Sequence, residues 1–212
     1  MKTLITDKRI NKIVSLVEDK KKVLNIGCAQ NPTIHYLLAK KSSLCIGIDI
    51  NKKGIEELKY NGYEAYLMNA EKINLKEKFD YIIAGELIEH LSNPGLFLES
   101  CLKHLEEKGE LIITTPNIAS LFLYLLVVSF DKTQDPTHVY YFDKKNLQIL
   151  VERYNFKINN VYYIPPEIKF HGQDIFFKIF FFLTTFLANL GFIFSQRLFG
   201  SYLLMVFKKN DK

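Results

Sequence analysis

The sequence predicts an α/β fold, a doubly wound sheet in a single domain over residues 1–212. Short runs of β-branched and other apolar residues alternate with stretches of helical period, and Gly, Asn, Asp or Pro stands at the joins. The runs are continuously apolar instead of alternating, as expected for strands covered on both faces. Strand, helix and strand repeated in this order imply right-handed crossovers between parallel neighbours.

Residues 23–26, 44–48, 65–68, 79–84 and 110–114 read as strands, with helices over 32–40, 52–60 and 94–106. The Lys-rich residues 1–20 read as an N-terminal surface helix, without the apolar core and small-residue site of a signal peptide. Two further strands are expected at 156–164 and 201–208. Between them the Phe-rich segment 165–199 reads as an apolar helical insertion in the same domain.

Composition bounds the function. A chain of 212 residues, 48% hydrophobic, can bury one substantial core but not two comfortable ones. Cys28, Cys45 and Cys101 are odd in number, widely spaced and without a CxxC partner. That pattern suggests neither a disulfide framework nor a zinc site and fits a reducing cytoplasm. The net charge of +5 comes from lysines scattered along the chain. Without a dense basic stripe, it argues against a nucleic-acid partner.

The first predicted strand runs into Asn25-Ile26-Gly27-Cys28-Ala29-Gln30-Asn31-Pro32. Gly27 permits a tight turn with close backbone approach, and Pro32 suits the first turn of a helix. The second strand ends at Asp49, about twenty residues on, where a carboxylate can accept hydrogen bonds from both ribose hydroxyls of an adenosine. The third leads into Asn69-Ala70-Glu71, which can bond an adenine edge. An ordinary Rossmann-like turn would explain Gly27 and Asp49 equally well, but the full GxGxxG of a nicotinamide dinucleotide site is missing.

Together these pieces resemble class I S-adenosylmethionine-dependent methyltransferases, in particular the ubiquinone-biosynthesis O-methyltransferase and polysaccharide-cluster methyltransferase group. The likeness extends to Phe79-Asp80-Tyr81-Ile82-Ile83-Ala84 and to Lys108-Gly109-Glu110-Leu111-Ile112-Ile113-Thr114-Thr115-Pro116-Asn117, resembling the family's fourth and fifth strands. It implies a Rossmann-like seven-stranded sheet whose last strand is antiparallel, and S-adenosylmethionine as cofactor. It assigns cofactor contacts to Asn25, Gly27, Cys28, Ala29, Asp49, Ile50, Asn69, Ala70, Glu71, Gly85 and Glu86. The chain departs from the family's glycine-rich first turn at three places: Asn25 replaces the acid, and Ala29 and Asn31 replace glycines.

After the fourth strand, Gly85-Glu86-Leu87-Ile88-Glu89-His90 would place Glu86, Glu89 and His90 on one face of a helical turn. His138, in Asp135-Pro136-Thr137-His138, lies in the region after the fifth strand. This set resembles the metal-binding residues of ubiquinone-biosynthesis and small-RNA 2′-O-methyltransferases. The resemblance implies a divalent cation such as Mg²⁺ on Glu86, Glu89, His90 and His138, with Glu89, His90 and His138 as catalytic residues. The alternative, which the residues alone favour somewhat, is that Glu86 contacts cofactor, Glu89 and His90 satisfy local hydrogen bonds and His138 orders its loop.

Residues 118–130 and 175–194 are strongly apolar. Membrane crossing is disfavoured, because it would separate residues 201–208 from the sheet that they complete. The segments read instead as a lid or membrane-interface element, with Lys169, Lys178, Arg197, Lys208 and Lys209 available to anionic headgroups, or as a homodimer surface. The expected activity is methyl transfer to an oxygen of a lipid-linked, glycan or quinone-like small molecule, in the cytoplasm or peripherally on the inner face of the membrane. A catalytically inactive methyltransferase-like subunit and an RNA 2′-O-methyltransferase are the competing readings.

Overall fold

A computed structural model describes residues 7–121, 124, 135–167 and 175–210. Seven strands form one sheet in the order β3-β2-β1-β4-β5-β7-β6, where β1 is Lys22–Ile26, β2 Leu44–Asp49, β3 Ala65–Leu67, β4 Phe79–Gly85, β5 Leu105–Pro116, β6 Phe156–Ile164 and β7 Tyr202–Lys209. Only β7 runs against the others: it pairs antiparallel with β5 on one side and β6 on the other. The expected doubly wound sheet with an antiparallel last strand is therefore present.

Successive residues serve opposite faces of the sheet. Leu24, Ile82, Leu111, Ile113 and Met205 join one apolar cluster with Phe97 and Leu98 of α4 (Pro94–His104) and with Leu147 and Val151 of α5 (Lys144–Glu152). Val23, Ile83, Ile112 and Leu204 join the other, with Ile10 and Ile13 of α1 (Lys8–Leu16) and Ile34 and Leu38 of α2 (Pro32–Lys41). Burial on both faces is why these strands lack polar alternation. Each such side chain removed from water contributes about 1.5–3 kcal/mol.

Local chemistry starts the helices. The Asp7 side chain accepts from the backbone N–H groups of Arg9 and Ile10 at the head of α1. Asn93 accepts from Leu96 N, and Pro94 occupies the first turn of α4, where its missing N–H is no loss. The Asn51 side chain caps α3 (Lys52–Tyr60) through Gly54 N.

Several elements differ from expectation. The N-terminal helix covers only Lys8–Leu16 of 1–20, and residues 1–6 lie outside the described residues. The helix predicted over 94–106 ends at His104, and β5 begins at once with Leu105, which packs into the core instead of continuing the helix. Helix α5 is not among the predicted helices, although Asp143 and Asn146 form a reciprocal capping box at its start.

The insertion contains α6 (Ile175–Phe194) and the short α7 (Gln196–Phe199). Residues 168–174, Lys169 among them, lie outside the described residues, as do 122–123 and 125–130 of the first apolar segment and 131–134 beyond it. No helix among the described residues is long and apolar enough to cross a membrane. Buried Asn117 ties the insertion down: its Nδ2 donates to the carbonyls of Arg197 and Gly200, each at 2.9 Å.

Candidate active site

The carboxyl ends of β1, β2 and β4 open onto two neighbouring cavities, as expected at the reversal of strand order in an open α/β sheet. The first, about 420 Å³, is lined by Gly27, Asp49, Ile50, Met68, Asn69, Ala70, Glu71 and Leu87 among others. The second, about 340 Å³, is lined by Arg9, Asn25, Gly85, Glu86, Pro116, Asp135, His138 and Tyr202 among others. Ile26, Gly27, Gln30 and His90 contribute to both.

Gly27 has φ +74°, a left-handed conformation that a side chain would strain. Its N–H and that of Cys28 donate to the Ile48 carbonyl, which folds the turn back over β2. Asp49 holds the same turn from the other side: Oδ2 accepts from Ala29 N at 2.9 Å and Oδ1 from Asn51 N at 2.8 Å. The carboxylate thus orders the loop and also borders the first cavity.

Cys28 and the departure at Ala29 have matching glycines. A Cβ at Gly47 would stand 2.7 Å from Cys28 Sγ, and one at Gly54 would stand 2.5 Å from Ala29 Cβ. Glycines on β2 and α3 therefore leave room for side chains where the family's turn has little. The Cys28 thiol packs into the core, where burial and the Asp49 charge push it up to about 12, so only its backbone can face the cavity. Asn25 Nδ2 is buried and has no hydrogen-bond partner among the described residues.

Asn69 accepts from Glu71 N, and Glu71 Oε1 accepts from Asn93 N at 2.8 Å, which fixes one wall of the first cavity to α4. Ile50 is 76% exposed at the mouth.

The stretch after β4 is not the helical turn that was expected. Glu86 has φ +52°, and only Ile88–His90 form a turn of 3-10 helix. This aims Glu86 at α1, where Arg9 Nη1 lies 2.7 Å from Glu86 Oε1. Glu89, His90 and His138 instead come together, with one ligand atom of each within 4.8 Å of the others. Glu86 is not in this group. The expected four-residue set is reduced to three because the left-handed residue turns Glu86 toward the arginine.

The tautomer of His90 follows from its partners. Thr137 Oγ1 donates to Asp135 Oδ1 at 2.6 Å, and so accepts from His90 Nδ1 at 2.8 Å. The Thr137 carbonyl, 3.3 Å from the same nitrogen, can only accept. Nδ1 therefore carries a hydrogen, which in the neutral ring leaves the lone pair on Nε2. The Glu89 carbonyl accepts from Val139 N and Tyr140 N, which brings the His138 loop onto the cluster.

Burial lifts the Glu89 carboxyl to about 7, and the Glu86 charge adds to the rise. Its own backbone N–H, nearby Thr115 and Arg9 pull the other way. Burial and the neighbouring His90 lower His138, against Asp135. Two residues of this region carry no signal in the sequence. Arg9 sits in a lysine-rich helix with no motif to mark it, and Tyr202, over which Arg9 lies at 5.4 Å, reads as an ordinary strand residue.

The methyltransferase domain family matches residues 4–161. The chain belongs to that family. A relative named ubiquinone biosynthesis O-methyltransferase, from Bradyrhizobium diazoefficiens, is 28% identical over 102 residues, which are 45% of this chain and 40% of the relative. The match thus spans less than half of that protein. A SAM-dependent methyltransferase from Archaeoglobus fulgidus has the same fold, with TM-score 0.66 and 18% identity over 95% of this chain and 91% of the other. So does magnesium protoporphyrin IX methyltransferase from Synechocystis PCC 6803 with bound SAH, with TM-score 0.65 and 13% identity over 96% and 83%.

Proposed function

We propose that this chain transfers a methyl group from S-adenosylmethionine to a hydroxyl oxygen of a small quinone-like or lipid-linked glycan acceptor. One observation carries the choice of oxygen: Glu89, His90 and His138 converge beside the seam that His90 and Gly27 form between the two cavities. The name of the curated relatives agrees with it.

The cofactor suits the first cavity. In this reading Asp49, which borders that cavity, serves the ribose hydroxyls, Asn69, Ala70 and Glu71 serve the adenine, and the turn at Gly27 serves the methionine part. Buried Asn25 Nδ2 and the Arg9 guanidinium border the second cavity as donors for the methionine carboxylate. S-adenosylmethionine supplies a sulfonium methyl open to in-line displacement. The protein has to position the acceptor oxygen, exclude water and take up the hydroxyl proton.

The three-residue cluster can do the last task in either of two ways. One carboxylate and two imidazoles suit a small divalent cation such as Mg²⁺ or Zn²⁺, which would lower the pKa of a bound hydroxyl. Without a cation, His90 Nε2 is an available proton acceptor. The cation reading takes precedence because the Thr137–Asp135 pair orients His90 as an outer-shell partner orients a metal-bound imidazole.

Titration with S-adenosylhomocysteine tests the cofactor site without knowledge of the acceptor. Micromolar binding that falls at least roughly tenfold in Asp49→Ala is expected, since one charge-assisted bond contributes about 1.5–3 kcal/mol. No binding at millimolar cofactor would favour a non-catalytic binding subunit. With catechol acceptors, chelator should abolish turnover and Mg²⁺ restore it. Turnover that is indifferent to chelator, from protein free of metal by elemental analysis, would leave His90 as the base.

A further inference from the structure

We propose that α6 lies flat on an anionic lipid surface, docking the acceptor side of the site against a bilayer. The proposal deepens the reading of a lipid-linked acceptor, but surface binding itself can be read without any turnover.

Ile179, Leu183, Phe186, Leu190 and Ile193 recur at spacings of three or four along α6, and each is at least 47% exposed. At 100° per residue, the exposed apolar positions between 179 and 194 occupy an arc of about 140°. The opposite side faces the protein. Thr185 and Ala188 are buried, and Asn189 Nδ2 donates to the Pro166 carbonyl at 3.2 Å. A helix about 30 Å long thus carries an apolar stripe that no described part of the fold covers.

Charge complementarity selects the occupant. From 175 to 210 the sequence has no Asp or Glu, whereas Lys178 lies within the helix and Arg197 beyond its end. Lys8 Nζ stands 3.5 Å from Asn189 Oδ1, which places a further cation next to the helix, while Glu167 accepts from the Lys8 backbone N–H. Lys208 and Lys209, expected to serve the same surface, pair instead with Glu110 and Glu107 on β5. A second copy laid on the stripe would set like charges together with no acid in this segment to pair them. Anionic headgroups would neutralise them.

Topology decides between lying on the bilayer and spanning it. Ile164 of β6 is the register partner of Tyr202 of β7, so the insertion leaves and returns at one edge of the sheet. Pro116, the last residue of β5, also pairs with Tyr202, so this is the edge that holds the cofactor turn. Tyr202 lines the second cavity, so a bilayer beneath α6 would hold that cavity near the headgroups.

Flotation of the full chain with phosphatidylglycerol–phosphatidylcholine vesicles tests this directly. Binding is expected to anionic vesicles, and to weaken at high salt and on pure phosphatidylcholine. Leu187→Glu and Ile193→Glu, both on exposed positions, should each weaken it roughly tenfold. Arg197→Gln should weaken it roughly fivefold on anionic vesicles only. S-adenosylhomocysteine affinity, measured on the same samples, should not move. Equal binding by the glutamate variants, or dimers by sedimentation that these variants dissociate while vesicles stay unbound, would overturn the proposal. Lost cofactor binding in the parent chain would instead count against the methyltransferase reading.

Discussion

Arg9 Nη1 lies 2.7 Å from Glu86 Oε1, and this pair joins the N-terminal helix to the residue that follows β4. The arginine side chain is 9% exposed and the glutamate 28%, so the attraction is only partly screened. Both residues border the second cavity, and the ring of Tyr202 lies under the guanidinium.

Removing the arginine strands a half-buried carboxylate. Arg9→Gln is expected to cost about 1–3 kcal/mol in urea unfolding, less than for a fully buried pair because Glu86 keeps some contact with water. Arg9→Gln/Glu86→Gln should recover most of that loss. If cofactor affinity falls in both variants, Arg9 also serves the ligand. Affinity unchanged in both would confine it to holding α1.

The fit of Ala29 against Gly54 makes a two-residue test. Gly54→Ala would put two methyl carbons about 2.5 Å apart, and should weaken S-adenosylhomocysteine binding roughly tenfold by displacing the turn that Asp49 orders. Adding Ala29→Gly should restore affinity to within about twofold, and a double-mutant cycle measures the coupling. Purely additive effects would show that the two positions do not share the space.

His35 gives a pH-dependent stability. Burial lowers it from 6.5 to about 4, and its Nε2 has no partner among the described residues. Between those values the unfolded chain binds the proton more tightly. The contribution is present above pH 6.5 and is lost as pH falls through 4, on the order of 3 kcal/mol in all. Glu89, raised from 4.5 to about 7, works the opposite way: its contribution is present below 4.5 and lost as pH rises through 7. The difference between the parent and His35→Leu isolates the histidine. That difference should shift in favour of the variant as the pH is lowered, and a constant difference would assign the acid sensitivity elsewhere.

Asn117 should be required for the insertion's placement. Asn117→Ala leaves the Arg197 and Gly200 carbonyls without their donor in a buried setting, at about 1–3 kcal/mol. Limited proteolysis should then cut within 165–199 faster than in the parent chain. Equal rates would show that packing alone holds the segment.

The sheet and its cofactor edge were legible in the sequence because both depend on local pattern. Apolar runs at 23–26, 44–48 and 79–84 become strands wherever both faces are covered, and Gly27 and Asp49 sit at strand ends, where register leaves little freedom. The antiparallel last strand followed from the family likeness. Helix α5 could have been found too, since its capping box is written in Asp143 and Asn146.

What the tertiary structure decided was the partner of each polar group. Glu86 and Glu89 are three residues apart in one short motif, yet one side chain meets Arg9 and the other meets the two histidines. A single left-handed residue separates them, and no local pattern marks where a non-glycine residue adopts that conformation. The glycines that make room for Cys28 and Ala29 stand on β2 and α3, nineteen and twenty-five residues further along the chain. Spacing in sequence fixes which strand end a residue occupies, but contacts between elements arise only when the sheet and helices pack, and those contacts set the charge and the tautomer of each group in the site.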